Sequence, residues 1–191
     1  MKLQHTTDIE LIHAFQEGDE QALEVLIHRY KEKIFSSIFY LAKDRPLAED
    51  LFQDVFIKII DTLRSNRYNE EGKFLQWAMR IAHNLCIDYF RKVKHAKIVN
   101  SGEKDIFEVV MVNTESADTR ITKFQSYEKV KTMLDKLPSE QREVIVLRHF
   151  ADMSFKEIAQ TTNTSINTAL GRMRYGLINL RKMMLENQIV L

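Results

Sequence analysis

SFKEIAQTTNTSINTALGRMRYGLINLRKMM, residues 154–184, is the stretch whose reading decides the fold. Ser154 followed by Glu157 forms a capping box, a marker of a helix start. Ile158 and Ala159 supply an apolar and a small residue where this first helix touches a second. Asn163 falls at the turn, where positive φ is wanted and Asn tolerates it better than most residues. Thr164 or Ser165 is placed to cap the second helix. In that helix Ile166, Ala169, Met173, Leu177, Leu180 and Met184 share one apolar face, and Asn167, Thr168, Gly171, Arg172, Arg174 and Tyr175 point away from it. Short helix, tight turn and longer helix make a helix-turn-helix, and its exposed Arg, Thr, Asn and Tyr suit phosphate and base-edge contacts. Gly171 and Gly176 each cost ~1 kcal/mol relative to Ala inside a helix. Two such costs in one helix imply a close approach, to DNA backbone or to a packed partner.

The rest of the chain agrees with an all-α reading. Only 5 Gly and 2 Pro occur in 191 residues, so few tight turns are available. Hydrophobic residues at 45% with 29% charged residues fit a globular protein with one or two modest cores. Asp8 to Gln16 has a short helical pattern stopped by Gly18. Asp19 can cap a longer helix carrying Leu23, Leu26, Ile27, Tyr30, Ile34, Ile38 and Leu41. Pro46 opens a third, with Leu47, Leu51, Val55, Ile59 and Leu63 every four residues. A polar loop leads into a fourth helix from Gly72. From Val99 to about Ala117 the periodicity fades. Helices are then predicted over Phe124–Leu137, broken by Pro138, and over SEQREVIVLRHF. The expected organisation is two small helical domains, 1–97 and 121–191, joined by a linker at 98–120, with the helix-turn-helix in the second.

Charge follows the same division. Residues 80–97 carry Arg80, Arg91, Lys92, Lys94 and Lys97 against Asp88, a balance of +4. Residues 166–182 carry Arg172, Arg174, Arg181 and Lys182 with no acid, again +4, while 98–120 balances to −3. Two basic modules with an acidic connector form a patterned distribution, although the chain as a whole is only +1.

The fourth helix carries a second signal. Projected at 100° per residue, Phe74, Ala78, Ile81, Ala82, Leu85 and Tyr89 share the predicted core face. The lone Trp77 lies with Arg80, Asn84, Asp88 and Arg91 on a separate stripe. Such a stripe can hold unstacked bases: Trp stacks, Asn reads an edge and Arg holds phosphate.

Together these motifs make the chain resemble an RNA polymerase sigma factor of the sigma-70 family, of the compact extracytoplasmic-function type. AEDLFQDVFIKII resembles the helix that grips the polymerase clamp, and WAMRIAHNLCIDYFRK the helix that melts and reads the −10 element. LPSEQREVIVLRHFADMSFKEIA resembles the start of the −35-reading domain. The resemblance implies polymerase contacts by Asp50, Gln53, Asp54 and Ile57. It implies −10 recognition and melting by Tyr68, Trp77, Arg80, Asn84, Arg91 and Lys92, with a flipped base held near the Tyr68–Lys73 loop. It implies −35 recognition by Thr168, Leu170, Gly171, Arg172, Arg174 and Tyr175. Leu170 and Gly171 depart from the polar or basic residue and the Ser common in the family. The implied partners are core RNA polymerase, promoter DNA both as duplex and as single strand, and an anti-sigma factor.

Other classes fit less well. A two-domain regulator that binds duplex DNA without polymerase would use the same helix-turn-helix, but needs neither the clamp-like helix nor the Trp77 stripe. For an enzyme, the six His show no metal-ligand spacing, with His83 and His95 read as surface residues beside the basic cluster, and no Gly-rich phosphate loop occurs. No catalytic residue, metal or cofactor is expected. No apolar run reaches the ~20 residues that span a bilayer, so no membrane insertion is expected. The N-terminal segment is polar, and Cys86 alone forms no intrachain disulfide, which fits a reducing cytoplasm.

Overall fold

The computed structural model describes residues 6–69, 72–98 and 132–187. Seven helices are bounded within them: α1 Asp8–Gln16, α2 Glu20–Ala42, α3 Arg45–Arg64, α4 Phe74–Ile98, α5 Ser139–Phe150, α6 Phe155–Thr161 and α7 Ile166–Glu186. A helical stretch at 132–136 precedes α5, and no strand occurs among the described residues. The fold is all-α. Of the linker expected at 98–120 only residue 98, the end of α4, is described; Glu70, Glu71 and most of the helix expected over Phe124–Leu137 lie outside the described residues.

Local chemistry sets the helix ends. Thr7 and Glu10 close a capping box on α1. Asp19 accepts from Gln21 N at the start of α2, and Asp44 accepts from Leu47 N ahead of Pro46 in α3. Gly18, at φ 108°, lets the chain turn directly from α1 into α2. The predicted capping box of Ser154 and Glu157 is present on α6. Ser165, rather than Thr164, caps α7. Asn163 takes φ 54° at the turn, as the sequence demands.

One buried cluster runs through the molecule. It joins Leu26, Ile34 and Ile38 of α2, Leu51, Val55, Ile59 and Leu63 of α3, and Phe74, Ala78 and Ala82 of α4. It continues into Val144 and Leu147 of α5, then Met153, then Ile158 and Ala159 of α6 and Ala169 of α7. Tyr40 of α2 stacks on Phe150 of α5 with ring centroids 5.1 Å apart. Lys33 reaches Asp152 and Lys73 reaches Glu157, each at 2.7 Å, so polar pairs flank the apolar contact between the two halves.

Three expectations are corrected here. First, His83 is buried, not a surface residue: its Nε2 meets Glu143 of α5 at 2.7 Å. Second, the core face of α4 is rotated from the projected one. Leu75, Met79, His83 and Cys86 are buried along with Phe74, Ala78 and Ala82, Ile81 and Leu85 are half-buried, and Tyr89 is 38% exposed. The cause is α5, which meets α4 at His83 and, across a small cleft, at Cys86, Ile87 and Phe90. Third, the apolar face of α7 is narrower than its spacing implies. Ala169 and Gly176 are buried, with Met173, Leu180 and Met183 packed beside them, whereas Ile166 and Leu177 are 46% and 50% exposed.

Candidate nucleic-acid interface

Two surfaces carry the residues expected to meet DNA. The first is built around the start of α4. Phe74, itself buried, has Tyr30 of α2 on one side at 5.6 Å and Trp77 at 5.7 Å. Tyr68, in the loop before α4, lies 4.5 Å from Trp77 and 6.1 Å from Phe74. These separations are those of favourable tilted and edge-on aromatic pairs. Trp77 is therefore half-buried, packed against the core by its neighbours. This corrects the clean separation of Trp77 from the apolar side of its helix: the ring belongs to a wall that borders the core. Arg80, Asn84, Arg91 and Lys92 are exposed along the same helix, as expected. Arg91 also reaches Asp88 at 3.3 Å, a solvent-facing pair of small worth.

The second surface is the outer face of α7. Leu170, Arg174 and Tyr175 are exposed there, Tyr175 to 61%. At Gly171 an added Cβ would meet nothing within 4 Å, so that backbone is open to approach. Gly176 is different: a Cβ there would lie 2.8 Å from Ile145 Cδ1, so this glycine admits α5 rather than DNA. Thr168 is exposed, but its hydroxyl lies 2.9 Å from that of Ser165 at the helix cap. Arg172 does not point away with the others. It turns toward α5, where its Nη2 lies 3.1 Å from Glu140, and its side chain is 21% exposed.

A third exposed set lies on α3. Asp50, Gln53, Asp54 and Ile57 project together opposite buried Leu51, Val55 and Ile59, and Ile57 is 58% exposed despite its apolar side chain. Single exposed apolar residues are ordinary; one ringed by acids and an amide at helical spacing suits a protein contact.

Sequence reasoning missed Tyr30, whose place beside Phe74 depends on two helices meeting. It also missed that Lys73 and Glu157, each placed by its own local motif, pair across 84 residues. Burial pushes the Glu157 carboxyl up, but hydrogen bonds from Lys73 and from Ser154, with the Lys73 charge, outweigh it and hold it at about 2. Burial pushes the Cys86 thiol up to about 12, so it stays protonated and unreactive. Among the described residues no group of three or more His, Cys, Asp or Glu is placed to hold a metal ion, and no helix is long and apolar enough to cross a membrane.

Comparison with known proteins gives the same order of parts. The family model for sigma-70 region 2 matches residues 26–96, and that for sigma-70 region 4 matches residues 127–170. The chain is 28% identical over 179 residues to the ECF RNA polymerase sigma factor SigW of Bacillus subtilis, covering 90% of this chain and 93% of that protein. It is 26% identical to the sigma factor CarQ of Myxococcus xanthus, over 92% of this chain and 96% of that one. In fold it is similar to CnrH, solved with the cytosolic domain of CnrY, at TM-score 0.63 and 21% identity over 93% of this chain and 96% of that one. It is also similar to RpoE of Bartonella quintana, solved with the anti-sigma factor NepR, at TM-score 0.66 and 19% identity over 85% of this chain and 96% of that one. With the two sigma-70 regions matched in order over more than half of its length, and relatives aligned along most of it, the chain belongs to the extracytoplasmic-function group of the sigma-70 family of RNA polymerase sigma factors.

Proposed function

We propose that this sigma factor divides promoter recognition between the two surfaces described above, with residues 1–97 and 121–191 as the two working modules and 98–120 between them. The outer face of α7, through Thr168, Leu170, Gly171, Arg174 and Tyr175, reads the −35 duplex. Arg172 serves it indirectly, by holding α7 to Glu140. The α4 surface, through Tyr68, Trp77, Arg80, Asn84, Arg91 and Lys92, captures the −10 element as a single strand. Flipping a base costs a few kcal/mol, which stacking at about 1–3 kcal/mol per base and a few hydrogen bonds can offset. No covalent step is needed, so the chain works as a polymerase subunit and not as an enzyme. Asp50, Gln53, Asp54 and Ile57 form the contact to core RNA polymerase.

The observation that carries this reading is the Tyr68–Trp77 pair, 4.5 Å apart, at the head of an exposed stripe of Arg80, Asn84 and Arg91. A regulator confined to duplex DNA has no use for it. The work is that of a cytoplasmic protein, where polymerase and promoter are. Because CnrH and RpoE were solved with CnrY and the anti-sigma factor NepR, a regulator of the same kind is proposed as a further partner. The test is sequencing of transcript 5′ ends made by core polymerase with and without the protein. Discrete new start sites sharing two upstream elements are the expected result. No new start sites, with no co-elution of protein and core polymerase on gel filtration, would sink it.

A further inference from the structure

The aromatic wall at the start of α4 is buttressed from a helix that the family match does not include. The match begins at residue 26, whereas α1 spans Asp8–Gln16. Asp8, in the first turn of α1, accepts a hydrogen bond from the Tyr30 hydroxyl at 2.6 Å through Oδ2. Its other oxygen pairs with Arg29, whose Nη2 also donates to the Thr6 carbonyl at 2.9 Å. Tyr30 is thus fixed at its hydroxyl end, while its ring lies against Phe74. Phe74 is 2% exposed and touches both Tyr68 and Trp77. Buried aromatic rings sit in narrow rotamer wells and transmit displacement to their neighbours, because interiors are close-packed. Burial and the Asp8 contact push the Tyr30 hydroxyl up to about 12, so it remains a donor throughout the physiological range.

We propose that Asp8 and Tyr30 are positioning residues for single-strand binding: their hydrogen bond fixes the Tyr30 ring against Phe74, and Phe74 holds Tyr68 and Trp77 in the arrangement a flipped base stacks upon. The proposal rests on the reading of the Trp77 stripe as the strand-binding surface. It gives α1 a function, that of a strut under the site, which no contact with DNA or polymerase is needed to explain. A loose wall would order on binding, and that ordering subtracts from affinity.

Trp77 is the sole tryptophan of the sequence, so its emission reports the wall directly in the full chain. Tyr30→Phe keeps the ring and removes only the donor; Asp8→Ala removes the acceptor; Asp8→Asn keeps one. The probe is a short single-stranded DNA of random sequence, titrated against Trp77 emission. Tyr30→Phe and Asp8→Ala are expected to lower Trp77 anisotropy, to raise its quenching by acrylamide and to weaken strand binding about 5-fold, the worth of one hydrogen bond. The double variant should be no weaker than Asp8→Ala alone, since the bond that Tyr30→Phe removes is already lost there. Asp8→Asn should recover part of the loss, and duplex binding should stay unchanged in all of them. Unaltered Trp77 anisotropy in Tyr30→Phe and Asp8→Ala overturns the proposal, as does altered anisotropy with unaltered strand affinity. A wild-type Trp77 emission that ignores the single strand is a different failure. It removes the strand-binding role itself, and the positioning role with it. Thermal unfolding by circular dichroism runs alongside, and if Asp8→Ala has lost its cooperative transition the test rests on Tyr30→Phe, which removes only the hydroxyl.

Discussion

The two candidate DNA surfaces are built in opposite ways. The α4 surface stands on a filled interior of Phe74, Leu75, Ala78, Met79, Ala82 and Cys86, with Tyr68 and Tyr30 walling its start. The α7 helix buries only Ala169 and Gly176, and leaves Leu170, Tyr175, Leu177 and Ile178 between 43% and 61% exposed. The difference follows from what each would bind. Bases in a duplex are already held in place with their edges in the groove, so a thinly anchored helix that presents side chains is enough. A base taken from the stack has lost that support. The protein must replace it with a surface formed beforehand, or much of the binding energy goes into ordering the surface.

The largest effect expected from this comparison is at Trp77. Trp77→Ala removes one stacking platform, about 1–3 kcal/mol, and should slow promoter opening about 5- to 150-fold in a permanganate or fluorescent-base assay. Affinity for core polymerase and for −35 duplex should hold. Asn84, exposed and with no packing role, should show the same selectivity with a smaller loss when changed to Ala. Equal losses in opening and in polymerase binding would mean that Trp77 serves mainly to pack Tyr68 and Phe74, and the contrast between the surfaces would collapse.

On α7 the sharper test sets two arginines against each other. Arg174 is exposed on the outer face, whereas Arg172 is drawn inward to Glu140. Arg174→Ala should weaken −35 duplex binding by about 1–3 kcal/mol in an electrophoretic or anisotropy titration. Arg172→Ala should cost less affinity, and should instead lower the melting temperature slightly, a half-exposed pair being worth about 1 kcal/mol or less. If Arg172 proves the more important for DNA, the Glu140 pair is one that DNA displaces.

How much of this was legible beforehand depends on how local each feature is. The turn and the caps of the helix-turn-helix were legible, because Ser154, Glu157, Asn163 and Ser165 act over three or four residues, and each does as its chemistry directs. The α3 face was legible as well, since Asp50, Gln53, Asp54 and Ile57 lie opposite a strict four-residue repeat. The α4 face was only half legible. Its true inner side is set by α5, through Glu143 on His83, across 60 residues of sequence. The projection placed Tyr89 inside and His83 outside because it could see one helix alone. The inward turn of Arg172 was missed for the same reason, being decided by Glu140 on another helix. The strut from Asp8 to Tyr30 leaves no trace in any periodicity, as the two residues are 22 apart on different helices.

The two glycines of α7 give a third test. Gly171→Ala gains helix propensity with no clash, and should stabilise the protein by up to ~1 kcal/mol. Gly176→Ala gains the same propensity, but must displace the end of the Ile145 side chain from 2.8 Å. Its net effect on thermal unfolding should fall below that of Gly171→Ala, and near zero if Ile145 rotates freely. Should Gly171→Ala weaken −35 binding while it stabilises the fold, the open backbone at Gly171 is where the helix approaches DNA most closely.

The smallest effect, and the one that bears on how the two surfaces are held together, is at Glu157. Its carboxylate completes the cap on α6 and also pairs with Lys73, which stands one residue before α4. Its pKa lies below the ordinary 4.5, at about 2. The charged form is therefore the stabilising one: its contribution is whole above pH 4.5 and is lost as pH falls from 4.5 toward 2. The melting temperature of wild type should exceed that of Glu157→Gln at neutral pH, by about 1 kcal/mol or less in stability, and the gap should close across that window. Lys73→Met divides the two roles. If the pH-dependent gap survives in the Lys73→Met background, the cap alone lowers the pKa, and the apolar contact of α2 with α5 joins the surfaces without help from this pair. If the gap vanishes, the pair spans the α4 aromatic wall and the helix-turn-helix, and the two surfaces share a polar joint as well as a core.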